Sequence, residues 1–156
     1  MNIIVGNDKR SETVRGILEG EDMGTWGPGV FEDDCTLECF TDLRDSESIE
    51  YISNALEDAV DSIYLDYETS CAAVVAAAVI DALVNDMDYD SGNGQFMEWV
   101  NQNRKMPVVR FKNEAVKALR RVLSEDSELY EQWLENDSSF MEWKAGLENI
   151  IMRLAE

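Results

Sequence analysis

Histidine is absent from all 156 residues. Its absence removes Ser-His and Cys-His nucleophilic catalysis and imidazole acid–base work, so any chemistry would fall to carboxylates, lysines or tyrosines. Cysteine is scarce and odd in number, at Cys35, Cys39 and Cys71. Without histidine or a Cys-x-x-Cys pair the usual zinc ligand set cannot be assembled. An odd count suits a reducing compartment better than a disulfide framework. Cys35 and Cys39, four apart in a helical-looking stretch, share a face, and all three read as small core residues. Proline occurs only at Pro28 and Pro107, each where a helical pattern is interrupted. No uncharged apolar run reaches about 18 residues, so no membrane span is expected. The first five residues are too few for a secretion-signal core, and a cytoplasmic location is the default expectation.

Positive charge is also scarce, and unevenly so. The chain carries 13 Lys and Arg against 33 Asp and Glu, a net charge of −20. Residues 23–103 hold 18 of those acids and a single base, Arg44, whereas residues 1–22 and 104–156 are close to neutral. A field of one sign repels nucleic acid and anionic membrane and steers basic partners inward. The expected partner is therefore a basic protein, with no direct nucleic-acid or membrane binding. Hydrophobic residues make up 45% of the chain, far from the signature of disorder, so the acids decorate a folded body. The length suits one domain around one core. We divide it into an N-terminal extension, 1–22, and a helical acidic domain, 23–156.

The pattern predicts a compact, all-α or mainly α bundle of about six to seven helices, with one short N-terminal strand over Asn2–Val5. Residues Ser11–Leu18 read as a short helix weakened by nearby glycines. Asp33 and Asp34 are placed to cap a helix running to about Leu43. The next, about Glu47 to Leu65, has the clearest amphipathic split: Ile49, Ile52, Leu56, Ala59, Val60 and Ile63 inward, Glu47, Glu50, Glu57, Asp58 and Asp61 outward. Like charges at Glu57 and Asp61, spaced i and i+4, cost a few tenths of a kcal/mol, and no lysine nearby relieves them. The outward face is either a binding ridge or a solvated surface that aids solubility.

In the helix expected over Glu68–Val84, the run Cys71–Ile80 is almost free of polar side chains, and Asp81 ends it. A helix apolar all round is buried on most sides, and its alanines allow close approach, so it belongs at the centre. Asp86, Asp88 and Asp90 alternate as in a calcium loop. The register fails twice, because Ser91 stands where the sharp turn needs glycine and Met97 where a bidentate Glu belongs. We read an acidic, glycine-rich loop that ends one helix and starts the next near Gln95, and no metal or other cofactor is expected.

Phe96, Trp99 and Val100 form a short apolar face. From Pro107 a helical segment turns Val109, Val116, Leu119, Val122 and Leu123 inward and Arg110, Lys112, Lys117, Arg120 and Arg121 outward. This sole basic patch is interrupted by Glu114, a poor footprint for phosphate, and is expected to pair with acids on a neighbouring helix or subunit. Asp126 is placed to cap a helix over Ser127–Glu135. Ser139 and Glu142 form a capping box opening the last helix, whose stripe is Phe140, Trp143, Leu147, Ile150, Ile151 and Leu154. The tryptophans Trp26, Trp99, Trp133 and Trp143 read as core anchors.

The stretch Gly24-Thr25-Trp26-Gly27-Pro28-Gly29-Val30-Phe31-Glu32-Asp33-Asp34 resembles the opening of a bacterial family catalogued as domain of unknown function 4259. Its members start Met-Gly-Thr/Ala-Trp-Gly and continue to Phe-x-Asn/Asp-Asp. Residues 71–83, and 118–123 through 127–133, are similar to its other characteristic regions. The resemblance implies a compact, mostly helical domain and no catalytic residue set. It makes Gly24, Trp26, Gly27, Gly29, Phe31, Asp33 and Asp34 a structural motif. In it, glycines permit a tight turn that folds Trp26 and Phe31 onto the helices while the aspartates bind backbone amides.

The expected function is inhibition by binding, of the immunity or antitoxin kind, with the acidic face covering the basic active site of a partner such as a toxin nuclease. Glu47, Glu50, Glu57, Asp58 and Asp61 would be its contacts, with Asp86, Asp88 and Asp90 as additions. The alternative is a nucleic-acid mimic of the phage counter-defence type, because helical i to i+4 spacing of about 6 Å approaches phosphate separation. An enzyme would need a carboxylate pair with perturbed pKa in a pocket, which no local spacing establishes.

Overall fold

The alanine-rich segment Tyr67–Asn85 forms a 19-residue helix, α3, and the other helices assemble around it. Asp66 caps its start by accepting the Thr69 N–H at 2.8 Å, and Asp86 ends it in the left-handed conformation at φ 56°. From Ser70 to Ala82 only Ala72 is not fully buried. Burial on every side is what an all-round apolar helix requires, and small side chains are what allow the surrounding helices to reach it. By length and composition α3 could cross a bilayer, but it is enclosed by its own bundle.

A computed structural model describes residues 27–135 and 137–156. Among these the remaining helices are α1 (Asp34–Arg44), α2 (Ser48–Asp61), α4 (Gln95–Gln102), α5 (Lys112–Val122), α6 (Glu128–Leu134) and α7 (Asp137–Leu154), with a 3-10 turn at Val109–Phe111. Helices α1, α2, α4, α5, α6 and α7 and the 3-10 turn all contact α3, and α2 and α7 also pack on α5. The fold is thus an all-helical bundle with no strand in the described residues. The expected strand at Asn2–Val5, the helix at Ser11–Leu18 and the motif residues Gly24 and Trp26 lie outside them. Trp99, Trp133 and Trp143 are core residues, and Phe31 packs with Phe40, Tyr89 and Phe96 in a cluster of tilted and edge-on rings.

Several helix ends differ from the sequence pattern. The second helix stops at Asp61 rather than Leu65, because the segment after it turns away to pair with the start of α6. Leu65 N–H donates to Asp126 O, and Glu128 N–H donates to Leu65 O, both at 2.8 Å. Ile63, expected inward, therefore lies outside the helical register and is 92% exposed. Val109 is likewise 64% exposed, since it starts a 3-10 turn and α5 begins only at Lys112. Ser127, not Asp126, caps α6, by accepting the Tyr130 N–H at 3.2 Å. The last helix begins at Asp137, two residues before the expected Ser139.

The basic residues of α5 do not find acids on a neighbouring helix among the described residues. Arg121 instead donates to Val60 O at 3.2 Å and Ile63 O at 3.1 Å. Val60 O is one of the last carbonyls of α2, where a cation complements the helix dipole, and Ile63 O lies just past the helix end. Among the described residues, Lys117 pairs only with Glu114, at 3.9 Å on its own helix.

Candidate binding site

The sequence singled out eight partner-facing carboxylates, and every one is exposed. Glu47, Glu50, Glu57, Asp58 and Asp61 fall within an arc of about 100° around the α2 axis at 3.6 residues per turn. None of the five forms an ion pair within the described residues. The helix therefore carries a continuous, unneutralised ridge on the side away from Ile52, Leu56 and Ala59, which are buried. The short connection from α2 to α3 makes the pair antiparallel neighbours, so Glu47 and Glu50 lie at the end where Asp86–Asp90 follow α3. Arg44, just before α2, reaches Gln95 Oε1 at 3.4 Å, which ties that corner to the start of α4.

The loop after α3 is held by its own polar groups. Asp86 pairs with Arg104 at 3.0 Å, and Asp90 Oδ1 accepts the Gly92 N–H at 2.8 Å. Gly92 and Gly94 take φ of 89° and 75°, the left-handed conformation that glycine tolerates. Among the described residues no three Asp, Glu, Cys or His side chains gather to hold a metal.

The glycine turn brings the family-like motif to the same place. Asp33 caps α1 by accepting the Cys35 N–H at 2.7 Å and also accepts the Tyr67 hydroxyl. Thr36 Oγ1 donates to Val30 O at 2.6 Å and to Asp33 O at 2.9 Å. Glu32 folds back so that its carboxylate accepts the Gly29 N–H at 2.9 Å. A Cβ at Gly27 or Gly29 would sit 2.5 or 2.8 Å from that carboxylate, so a side chain at either position would push Glu32 off the turn. Asp34 follows in the first helical turn, its carboxyl pKa raised by burial and by the charges of Asp33 and Glu38.

Turn and loop together wall a cleft of about 560 Å³. Residues 28–33 line one side, residues 87–92 another, and Val74, Leu129, Trp133, Trp143 and the α7 positions Gly146 and Arg153 complete it. Motif residues Gly29, Phe31 and Asp33 thus share a cavity with Asp88 and Asp90, while Gly27, Asp34, Asp86 and the α2 ridge do not line it. No sequence signal joined these two groups, because 55 or more residues separate them.

A buried charge network at the cleft's edge also escaped the sequence reading. Asp81, expected only to interrupt an apolar run, is 0% exposed inside α3. It receives Arg153 Nη2 at 2.7 Å and Nε at 3.1 Å, the Tyr89 hydroxyl at 2.5 Å and Asn85 Nδ2 at 2.9 Å. These donors satisfy the carboxylate, as a buried charge requires. A carboxylate in an otherwise apolar helix was the available signal; its partner stands 72 residues away.

The three cysteines come together between α1 and α3. For Cys35, the hydrogen bond with Cys39 lowers the thiol pKa, but the bond with Cys71, burial and the Asp33 charge outweigh it and push it up to about 12. Cys39 is raised by its bond to Cys35 and by burial, and Cys71 is also raised on balance, burial outweighing a lowering bond to Cys35. An acid with a raised folded-state pKa contributes stability that is complete below its unfolded value, here 9.0, and is lost as pH rises towards the folded value. The urea midpoint is therefore expected to fall between pH 8 and pH 10.5. Cys39, the buried thiol with the large rise, should cost up to about 1.4 kcal/mol per pH unit above 9, with a smaller addition from Cys71. A Cys39→Ala/Cys71→Ala chain should lose much of that slope; a midpoint independent of pH would refute the assignment.

Fold and site together define a helical domain with an acidic ridge and an acid-rimmed cleft built on the glycine turn. The family model described as "Domain of unknown function (DUF4259)" matches residues 24–146, and the chain belongs to that family. No curated protein and no solved structure matches it.

Proposed function

We propose that this protein is an inhibitory binding protein of the immunity or antitoxin kind, whose α2 ridge covers the basic active site of a protein partner such as a toxin nuclease. One observation carries the reading: five exposed carboxylates on one arc of α2, unpaired among the described residues. Such repulsion lowers helix stability slightly, and a basic partner would turn it into attraction. Inhibition works by steric occlusion, with charge complementarity supplying fast encounter and register. Asp88 and Asp90, at the end of the bundle nearest Glu47 and Glu50, extend the contact. Asp86 is already engaged by Arg104 and contributes less.

The test is affinity capture from source-cell lysate at moderate salt, comparing wild type with Glu50→Lys/Glu57→Lys/Asp61→Lys. The reversed residues are exposed, so helix content and melting should stay nearly unchanged. A basic protein held only by wild type, and inhibited by it once purified, is the expected result. Equal capture by both chains would remove the ridge from the account. A captured nuclease of a host defence system, blocked at its DNA cleft, would transfer the same ridge to the nucleic-acid-mimic role.

A further inference from the structure

We propose that the cleft beside the glycine turn receives one guanidinium group, the side chain of an arginine presented by the basic partner. The inference rests on the inhibitory-binding reading above and deepens it by adding a second, concave contact to the convex ridge.

Charge complementarity selects the occupant. Glu32, Asp33, Asp88 and Asp90 line the cleft against a single base, Arg153, whose guanidinium is already bound by Asp81. The Asp88 carboxylate has no hydrogen-bond partner among the described residues. The cleft is therefore net anionic and would disfavour phosphate or a carboxylate ligand. Its inner wall is apolar and aromatic, with Phe31, Leu129, Trp133 and Trp143. An arginine combines the two requirements, because its aliphatic stem lies on apolar surface while its planar, weakly hydrated head suits carboxylates and aromatic faces. The volume of about 560 Å³ lies in the range of ligand sites and holds such a side chain with accompanying water.

Gly146 provides a way to close the cleft without disturbing the fold. It lines the cavity from α7, and a Cβ added there meets no atom within 4 Å. Gly146→Leu should thus fill the cleft while raising helix propensity.

The experiment titrates the full-length chain at low salt with N-acetyl-arginine amide, read by tryptophan fluorescence from Trp133 and Trp143. The expected result is a saturable change whose half-saturation rises at least ten-fold in Gly146→Leu and in Asp88→Asn/Asp90→Asn. The neutral isostere N-acetyl-citrulline amide should give no response. Absence of saturation, an equal response to citrulline, or indifference to both variants would overturn the proposal. Were the chain before Gly27 to fill the cleft, the probe would give no response and Gly146→Leu would lower the melting temperature, which also overturns it. Because no partner is needed, the ridge variant Glu50→Lys/Glu57→Lys/Asp61→Lys should bind the probe as wild type does. Failure of either idea is thereby read separately from the other.

Discussion

Replacing Arg153 with methionine is expected to cost about 3 kcal/mol of folding free energy, because it strands a carboxylate inside the central helix. Asp81 is 0% exposed and takes three hydrogen bonds from the Arg153 guanidinium. Tyr89 and Asn85 would remain as donors, which places the loss at the lower end for a broken buried pair. The Tyr89 hydroxyl, its pKa already raised by burial and by its bond to Asp81, cannot take over the missing positive charge. Removing both charges, as Asp81→Leu/Arg153→Met, should recover at least half of the loss, since an apolar pair leaves no buried charge. Urea unfolding of the three chains measures this directly. A cost under about 1 kcal/mol for Arg153→Met, or a double variant worse than the single, would mean that Asp81 is hydrated and not sealed.

Phe96→Ala is expected to cost about 3–5 kcal/mol, the range for emptying a buried aromatic site. Phe96 is fully buried, and its ring lies 4.6 Å from Phe31, 5.2 Å from Phe40 and 5.8 Å from Tyr89, centroid to centroid. Those three rings belong to the glycine turn, to α1 and to the loop after α3, so one side chain joins both walls of the cleft. The same variant should therefore raise the half-saturation for the arginine probe as well as lower the urea midpoint. Phe96→Leu, which keeps most of the volume, should lose less of both. A stability loss confined to α4, with probe binding intact, would show that the cleft does not depend on the ring cluster.

Residue pattern alone was a good guide where a helix is decided by its own composition. The apolar run through Ala76–Ala78 required a central helix, and Asp33 has both the side chain and the position to cap α1. Pattern was a poor guide where a partner far along the chain decides the outcome. Periodicity carries Ile63 inward on paper, but the backbone leaves the helix at Ser62 so that Leu65 can bond Asp126 and Glu128. Val109 fails for a local reason, since it starts a 3-10 turn with a different residue period before α5 begins. Asp81 looks like an end to an apolar run unless Arg153 is known to reach it. The ridge was legible because four of the five acids belong to one helix and the fifth, Glu47, is its N-cap residue. The cleft was not, because it exists only once residues 28–33, 87–92 and 129–153 converge.

The central claim is that the α2 ridge recruits a basic protein by charge. It is tested most directly by the association rate of the captured partner with wild type and with Glu50→Lys/Glu57→Lys/Asp61→Lys, measured across ionic strength. The account predicts a wild-type rate that falls steeply, by ten-fold or more, between low and physiological salt. The reversed chain should associate slowly at every salt concentration. Equal rates for the two chains, with no dependence on salt, would contradict it.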